Sequence, residues 1–192
     1  MQIAIDYFLF PSHDRGPSAV RNSAVSLAES DTLLPIDSDD ILPNPNVIEN
    51  MYRTYVEYGK KKIIYGNLQF LAQSGGNWQV GKTHVFPEYT FDGIMNLKGM
   101  IPVTAMHSVD CHNATGGWKL TLQNGLEDVE YWIAAGKAGY CGQKINITTL
   151  LYRKHSFSRS ENLRQSGLST QMENMIIEAH KDVYNGDYPV GS

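Results

Sequence analysis

Thr32-Leu33-Leu34-Pro35-Ile36-Asp37-Ser38-Asp39-Asp40-Ile41-Leu42 decides how this chain is read. A short apolar run, Leu33, Leu34 and Ile36, stops at three carboxylates, Asp37, Asp39 and Asp40. A short apolar run closed by a turn predicts a buried strand. Ligands of open α/β sheets gather at the carboxyl ends of such strands. Crowded carboxylates repel and raise one another's pKa. A divalent cation removes that cost, and oxygen donors suit magnesium or manganese. The stretch therefore predicts a metal site for a phosphate-bearing ligand. A solvated acidic turn, with Asp39 or Asp40 capping a helix, would carry the same letters.

The chain has 192 residues, enough for one domain with a real core. It is 42% hydrophobic and 19% charged, which places it among globular chains. A net charge of −4 argues against a general nucleic-acid binder. The only cysteines, Cys111 and Cys141, are too few for a disulfide framework. They read as reduced thiols of a cytoplasmic protein. Cys111-His112 could be half of a zinc site, but no second pair has ligand spacing, so packing explains it better. No apolar run reaches the length of a transmembrane span, and residues 1–10 lack the basic start of a signal peptide.

Outward from the acidic stretch, the pattern predicts alternating elements. Upstream lie an apolar strand at 3–10 and a helix over 17–29. Pro17 suits the first helical position, and Val20, Ala24, Leu27 and Ala28 form its stripe. Arg21 and Asn22 are early enough in that helix to meet an anion, although Arg21 alone reads as a surface charge. Downstream, a helix runs from Pro45 to about Tyr58, stopped by Gly59, with Val47, Ile48, Met51, Tyr52 and Tyr55 inward. Strands follow at 62–72 and 78–86 around Ser74-Gly75-Gly76-Asn77. A short helix at 90–97 and a strand at 101–109 come next. Gly116-Gly117 is a turn that could approach a ligand closely, or only a tight turn. A helix over 122–135 contains Glu127 and Asp128, which by themselves read as capping charges. A strand at 140–152 and a helix at 170–184 complete an α/β layered pattern.

Four separated pieces resemble family-2 glycosyltransferases of the GT-A fold. They are Gly16-Pro17-Ser18-Ala19-Val20-Arg21-Asn22, Ile36-Asp37-Ser38-Asp39-Asp40 (similar to the DxD motif), Gly116-Gly117-Trp118 with Gly125-Leu126-Glu127-Asp128, and Tyr152-Arg153-Lys154-His155. The resemblance covers residues 1–160. It implies a truncated GT-A (Rossmann-like) mixed sheet flanked by helices, with 161–192 a helical extension packed on it or on a partner subunit. It implies that Arg21, Asp37 and Asp39 bind a nucleotide-sugar donor. Asp39 and His155 would hold Mn2+ or Mg2+, although His155 alone would read as a surface residue. Asp128, with Glu127 beside it, would be the general base of an inverting transfer to an acceptor hydroxyl. Gly117 and Trp118 would border the acceptor, Trp118 offering a flat face. The family's first nucleoside-binding βα unit has no counterpart in this sequence, which leads to an expected homo-oligomer, most simply a dimer. A catalytically impaired remnant acting as a self-associating or binding module is the alternative. A phosphotransferase with an aspartate nucleophile would need that aspartate on the first strand, where Asp37 does not lie.

Overall fold

The computed structural model describes residues 16–97, 100–122, 125–154, 163 and 166–186. The strand expected at 3–10, and His155, lie outside the described residues. The elements run α1 Gly16–Leu27, β1 Thr32–Leu33, α2 Asn46–Tyr58, β2 Lys62–Ser74, β3 Asn77–His84 and α3 Phe91–Met95. They continue with β4 His107–Ser108, α4 Val109–Thr115, α5 Glu127–Lys137, β5 Cys141–Arg153, α6 Ser169–Ala179 and α7 Lys181–Tyr184. The class is mixed α/β, as the alternating pattern implies.

β2 is the centre of the sheet. It pairs in parallel with β5, from Lys62↔Cys141 to Leu71↔Arg153, and antiparallel with β3, from Leu68↔His84 to Ser74↔Asn77. Gly75 and Gly76 both take positive φ, 59° and 83°, as a two-residue hairpin turn demands. All eight residues of β3 are exposed, so the hairpin stands away from the core. β1 pairs antiparallel with β4, and Met106, just before β4, bridges to Ile64 of β2. Residues 101–109, expected as one strand, are strand only at His107–Ser108. Ile101 and Ala105 are instead buried in irregular chain, and Ser108 ends the strand by accepting from the Cys111 amide at 3.0 Å to start α4.

α2 forms as its spacing predicts, and Gly59 (φ 93°) stops it. Val47, Met51 and Tyr55 pack with Ile64 and Met106. Ile48 and Tyr52, also expected inward, are 45% and 51% exposed. Three side chains at i, i+4, i+8 already fill the line facing the sheet. α1 corrects the sequence reading more sharply. Val20 and Leu27 are 47% and 42% exposed, and Ala24 and Ala28 face outward with them. The inward face carries Ser18, Arg21, Asn22 and Val25. Arg21 and Asn22 on it are held by specific polar partners, which a pattern of apolar letters does not register.

α5 begins at Glu127, later than expected, because Gly125 (φ 140°) and Leu126 (φ 61°) are left-handed. Its Tyr131, Trp132, Ile133 and Ala135 enter the main core with Ile63, Tyr65 and Trp118. Met172 and Ile176 of α6 join that core. The C-terminal helix face expected to need a partner surface therefore has one in the same chain. The expected helix breaks at His180 into α6 and α7.

Candidate functional site

Arg21 assembles the site. Its Nη2 donates to Asp37 Oδ1 at 2.7 Å and its Nη1 to Glu127 Oε1 at 2.9 Å. One planar guanidinium thus spans the acidic turn and the start of α5, 106 residues from Arg21 in sequence. The Arg21 and Glu127 side chains are only 11% and 9% exposed, while Asp37 is 41% exposed. Burial disfavours the charged guanidinium, but Asp37 and Glu127 outweigh it and raise the Arg21 pKa further. Asn22, next along α1, clamps Trp118. Its Oδ1 accepts from the Trp118 amide and its Nδ2 donates to the Trp118 carbonyl, both at 2.9 Å. Gly117 has φ 77°, and a Cβ there would lie 2.8 Å from Asn22 Oδ1. Only glycine allows this approach.

The acidic turn is pinned to the carboxyl end of β5. The Arg153 amide donates to Asp40 Oδ1 at 3.1 Å, and Arg153 Nη1 to the Asp39 carbonyl at 2.8 Å. Ile41 pairs with Leu151. Trp78 of the hairpin lies 5.5 Å from the Arg153 guanidinium. Burial pushes the Asp40 carboxyl up to about 6 against the pull of the Arg153 amide, with Asp39 and Asp37 adding repulsion. A hard divalent cation would relieve such repulsion, and carboxylate oxygens are the donor type that Mn2+ and Mg2+ prefer. Among the described residues no three His, Cys, Asp or Glu side chains form a metal-binding group. The expected set includes His155, two residues beyond Arg153 and outside the described residues.

Asp128 is partly exposed in the first turn of α5. Burial, and then Glu127, push its carboxyl up to about 6. Its Oδ1 accepts from the Val129 amide at 2.9 Å. The fold thus brings Arg21, Asp37, Glu127 and Asp128 into one neighbourhood, with Gly117 beside it.

Trp118 departs from expectation. It is 2% exposed and stacks on Tyr131 with ring centroids 4.2 Å apart and planes 7° apart. The face expected for an acceptor is taken by Tyr131, because a large apolar ring gains more from the core. Sequence reading missed Asn22 as a clamp, Arg153 as the anchor of the turn, and α4. Ser108 and Gly116 (φ 73°) are ordinary start and stop signals that would have marked α4.

The chain is similar in structure to TarS of S. aureus. The complex of TarS 1-349 with UDP-GlcNAc aligns with TM-score 0.59 at 17% identity, covering 79% of this chain and 43% of that one. The complex with UDP aligns with TM-score 0.54 at 17% identity, covering 76% and 42%. TarS 1-349 on its own covers 90% of this chain and 50% of that one, at 18% identity and TM-score 0.52. The chain thus spans half or less of each of these structures. The likeness is one of fold, a glycosyltransferase-like mixed α/β sheet flanked by helices. No protein-family model and no curated protein matches the sequence. No described helix is long and apolar enough to cross a membrane.

Proposed function

We propose that this chain is a glycosyltransferase domain that moves a sugar from a nucleotide-sugar donor to an acceptor hydroxyl with inversion. One observation carries the reading. Arg21 ties the acidic turn to the start of α5, so a cluster of carboxylates and a raised carboxylate stand side by side. A shared fold with TarS, crystallised with UDP-GlcNAc and with UDP, supports the donor class.

In this reading Asp37, oriented by Arg21, and Asp39 face the donor diphosphate. Asp39, with His155 as distal ligand, would hold Mn2+ or Mg2+, which when bound supplies positive charge at the leaving diphosphate. Asp128 takes the proton of the acceptor hydroxyl. The hydroxyl oxygen bonds to the anomeric carbon, the bond from that carbon to the diphosphate breaks, and its electron pair leaves with the nucleoside diphosphate. A carboxylate raised towards neutrality is a stronger proton acceptor and still largely ionised at pH 7, as general-base catalysis requires. Glu127 is held by Arg21, which leaves Asp128 for the base role. Gly117 would border the acceptor, without the Trp118 ring.

Calorimetry with UDP tests the donor site. Binding is expected with Mn2+ and not with chelator, and Asp39→Ala should abolish it. Equal binding by parent and variant would overturn the assignment.

A further inference from the structure

A buried relay fixes the protonation of His112, beside the Gly116-Gly117 turn. His107 Nδ1 lies 2.9 Å from the Ala105 carbonyl, which only accepts, so Nδ1 carries the proton. His107 is fully buried, and burial pushes its pKa down to about 4, so it is neutral with a bare Nε2. The Tyr131 hydroxyl, 3.0 Å away, donates to that nitrogen. The hydroxyl has one proton, so its oxygen can then only accept. His112 Nδ1, 3.1 Å from the same oxygen, must therefore donate. Burial also lowers the His112 pKa, which keeps the ring neutral. Its Nε2 is then a lone pair, and no described group bonds to it.

The His112 ring lies beside the Gly116-Gly117 turn that borders the site. A Cβ at Gly117 would lie 3.4 Å from His112 Cε1, the atom between the two ring nitrogens, and 2.8 Å from Asn22 Oδ1. His112 is 8% exposed, and its ring sits 5.2 Å from that of Trp118, as Arg21 sits 5.9 Å from the same ring. The zinc alternative for Cys111-His112 does not hold. Cys111 is fully buried, its thiol is raised to about 12 by burial, and His112 Nδ1 is taken by Tyr131.

We infer that His112 Nε2 is a dedicated hydrogen-bond acceptor for a sugar hydroxyl of the donor, held in that tautomer by Tyr131 and His107. The ligand class rests on the transfer reading above; the tautomer does not. Nitrogen-15 NMR of histidine-labelled protein at neutral pH is expected to show His112 protonated at Nδ1 and bare at Nε2. A proton found on Nε2 would overturn the inference. With Mn2+, UDP-GlcNAc should shift the Nε2 resonance and UDP alone should not. His112→Phe should weaken UDP-GlcNAc roughly three- to tenfold, the size of one neutral hydrogen bond, and leave UDP unchanged. His112→Gln, which restores an acceptor near Nε2, should recover most of that loss. Equal loss of both ligands, or no loss, would overturn the acceptor role. If the parent binds neither UDP nor UDP-GlcNAc, the transfer reading fails. Free N-acetylglucosamine then decides the acceptor role, and an unmoved Nε2 resonance sinks it.

Discussion

Arg21 is the residue with most at stake. It holds two carboxylates, one of them nearly buried, with one planar fork. Arg21→Ala removes the guanidinium from the nearly buried Glu127 carboxylate and from Asp37, a loss of about 3 kcal/mol. Arg21→Lys cannot span both partners as a fork does. Both variants should melt earlier, with Arg21→Lys intermediate, and thermal melts at pH 7 check this. Asp40 behaves oppositely. Its folded pKa of about 6 lies above the ordinary value of 3.8, so the folded state favours the protonated form. The cost of its charge is absent below about pH 4, grows as pH rises, and is complete above about pH 6. Asp40→Asn keeps an oxygen for the Arg153 amide and removes that cost. Its stability should exceed the parent's by roughly 1 kcal/mol at pH 7, after allowance for partial exposure, and match it at pH 4. Equal melts at both pH values would show that Asp40 carries no burial cost. Asp128 follows the same sign in activity. Transfer should fall as pH drops through about 6, and Asp128→Asn should lower turnover by about two to four orders of magnitude with donor affinity kept. Parental turnover in that variant would return Asp128 to a capping role.

Among the elements, the Gly116-Gly117 turn joins α4 to the clamp on α1. Gly117→Ala would push a methyl group into Asn22 and strain a φ of 77°. A loss of about 1–3 kcal/mol is expected, with the Asn22 side-chain resonances shifted in NMR. Gly139→Ala is the control. Its φ of 80° carries the same strain with nothing within 4 Å of the new Cβ. If both lose equally, the clamp contributes nothing beyond backbone strain. α1 explains why such a turn is needed. Val20, Ala24 and Leu27 face outward, so α1 is held on the domain by Arg21 and Asn22 together with Val25.

At the scale of the molecule, the C-terminal helices belong to the core. Met172 and Ile176 pack with α5, and at the break His180 Nε2 lies 3.0 Å from Glu130 Oε1. Lys137 Nζ lies 3.4 Å from His180 Nδ1 and 2.8 Å from Asp182. Glu130 is 1% exposed, and its Oε2 has no described partner. His180→Ala should therefore cost about 3 kcal/mol or more in a urea melt. A chain ending at residue 167 should fail to fold as a monomer, because it would bare the underside of α5. Self-association remains our proposal. Val20 and Leu27 on α1, and Ile48, Tyr52 and Val56 on α2, stay 42% to 63% exposed. Light scattering at micromolar concentration should report a dimer, and a monomer throughout would dismiss it.

Local letters by themselves determined the alternating elements, α2 with its Gly59 stop, the Gly75-Gly76 hairpin, and the gathering of carboxylates at 37–40. These follow from period, turn chemistry and charge within a few residues of chain, so they are visible without a fold. Tertiary structure decided which face of α1 points inward, that Trp118 is buried, that residues 101–105 are not strand, and that Arg153 anchors the acidic turn. In each case the deciding partner is distant in sequence. Glu127 is 106 residues from Arg21, Asp39 is 114 from Arg153, and Trp118 is 96 from Asn22. Hydrogen bonds between buried polar groups select conformations that hydrophobic period alone assigns wrongly, because an unpaired buried donor or acceptor costs more than an exposed alanine or valine.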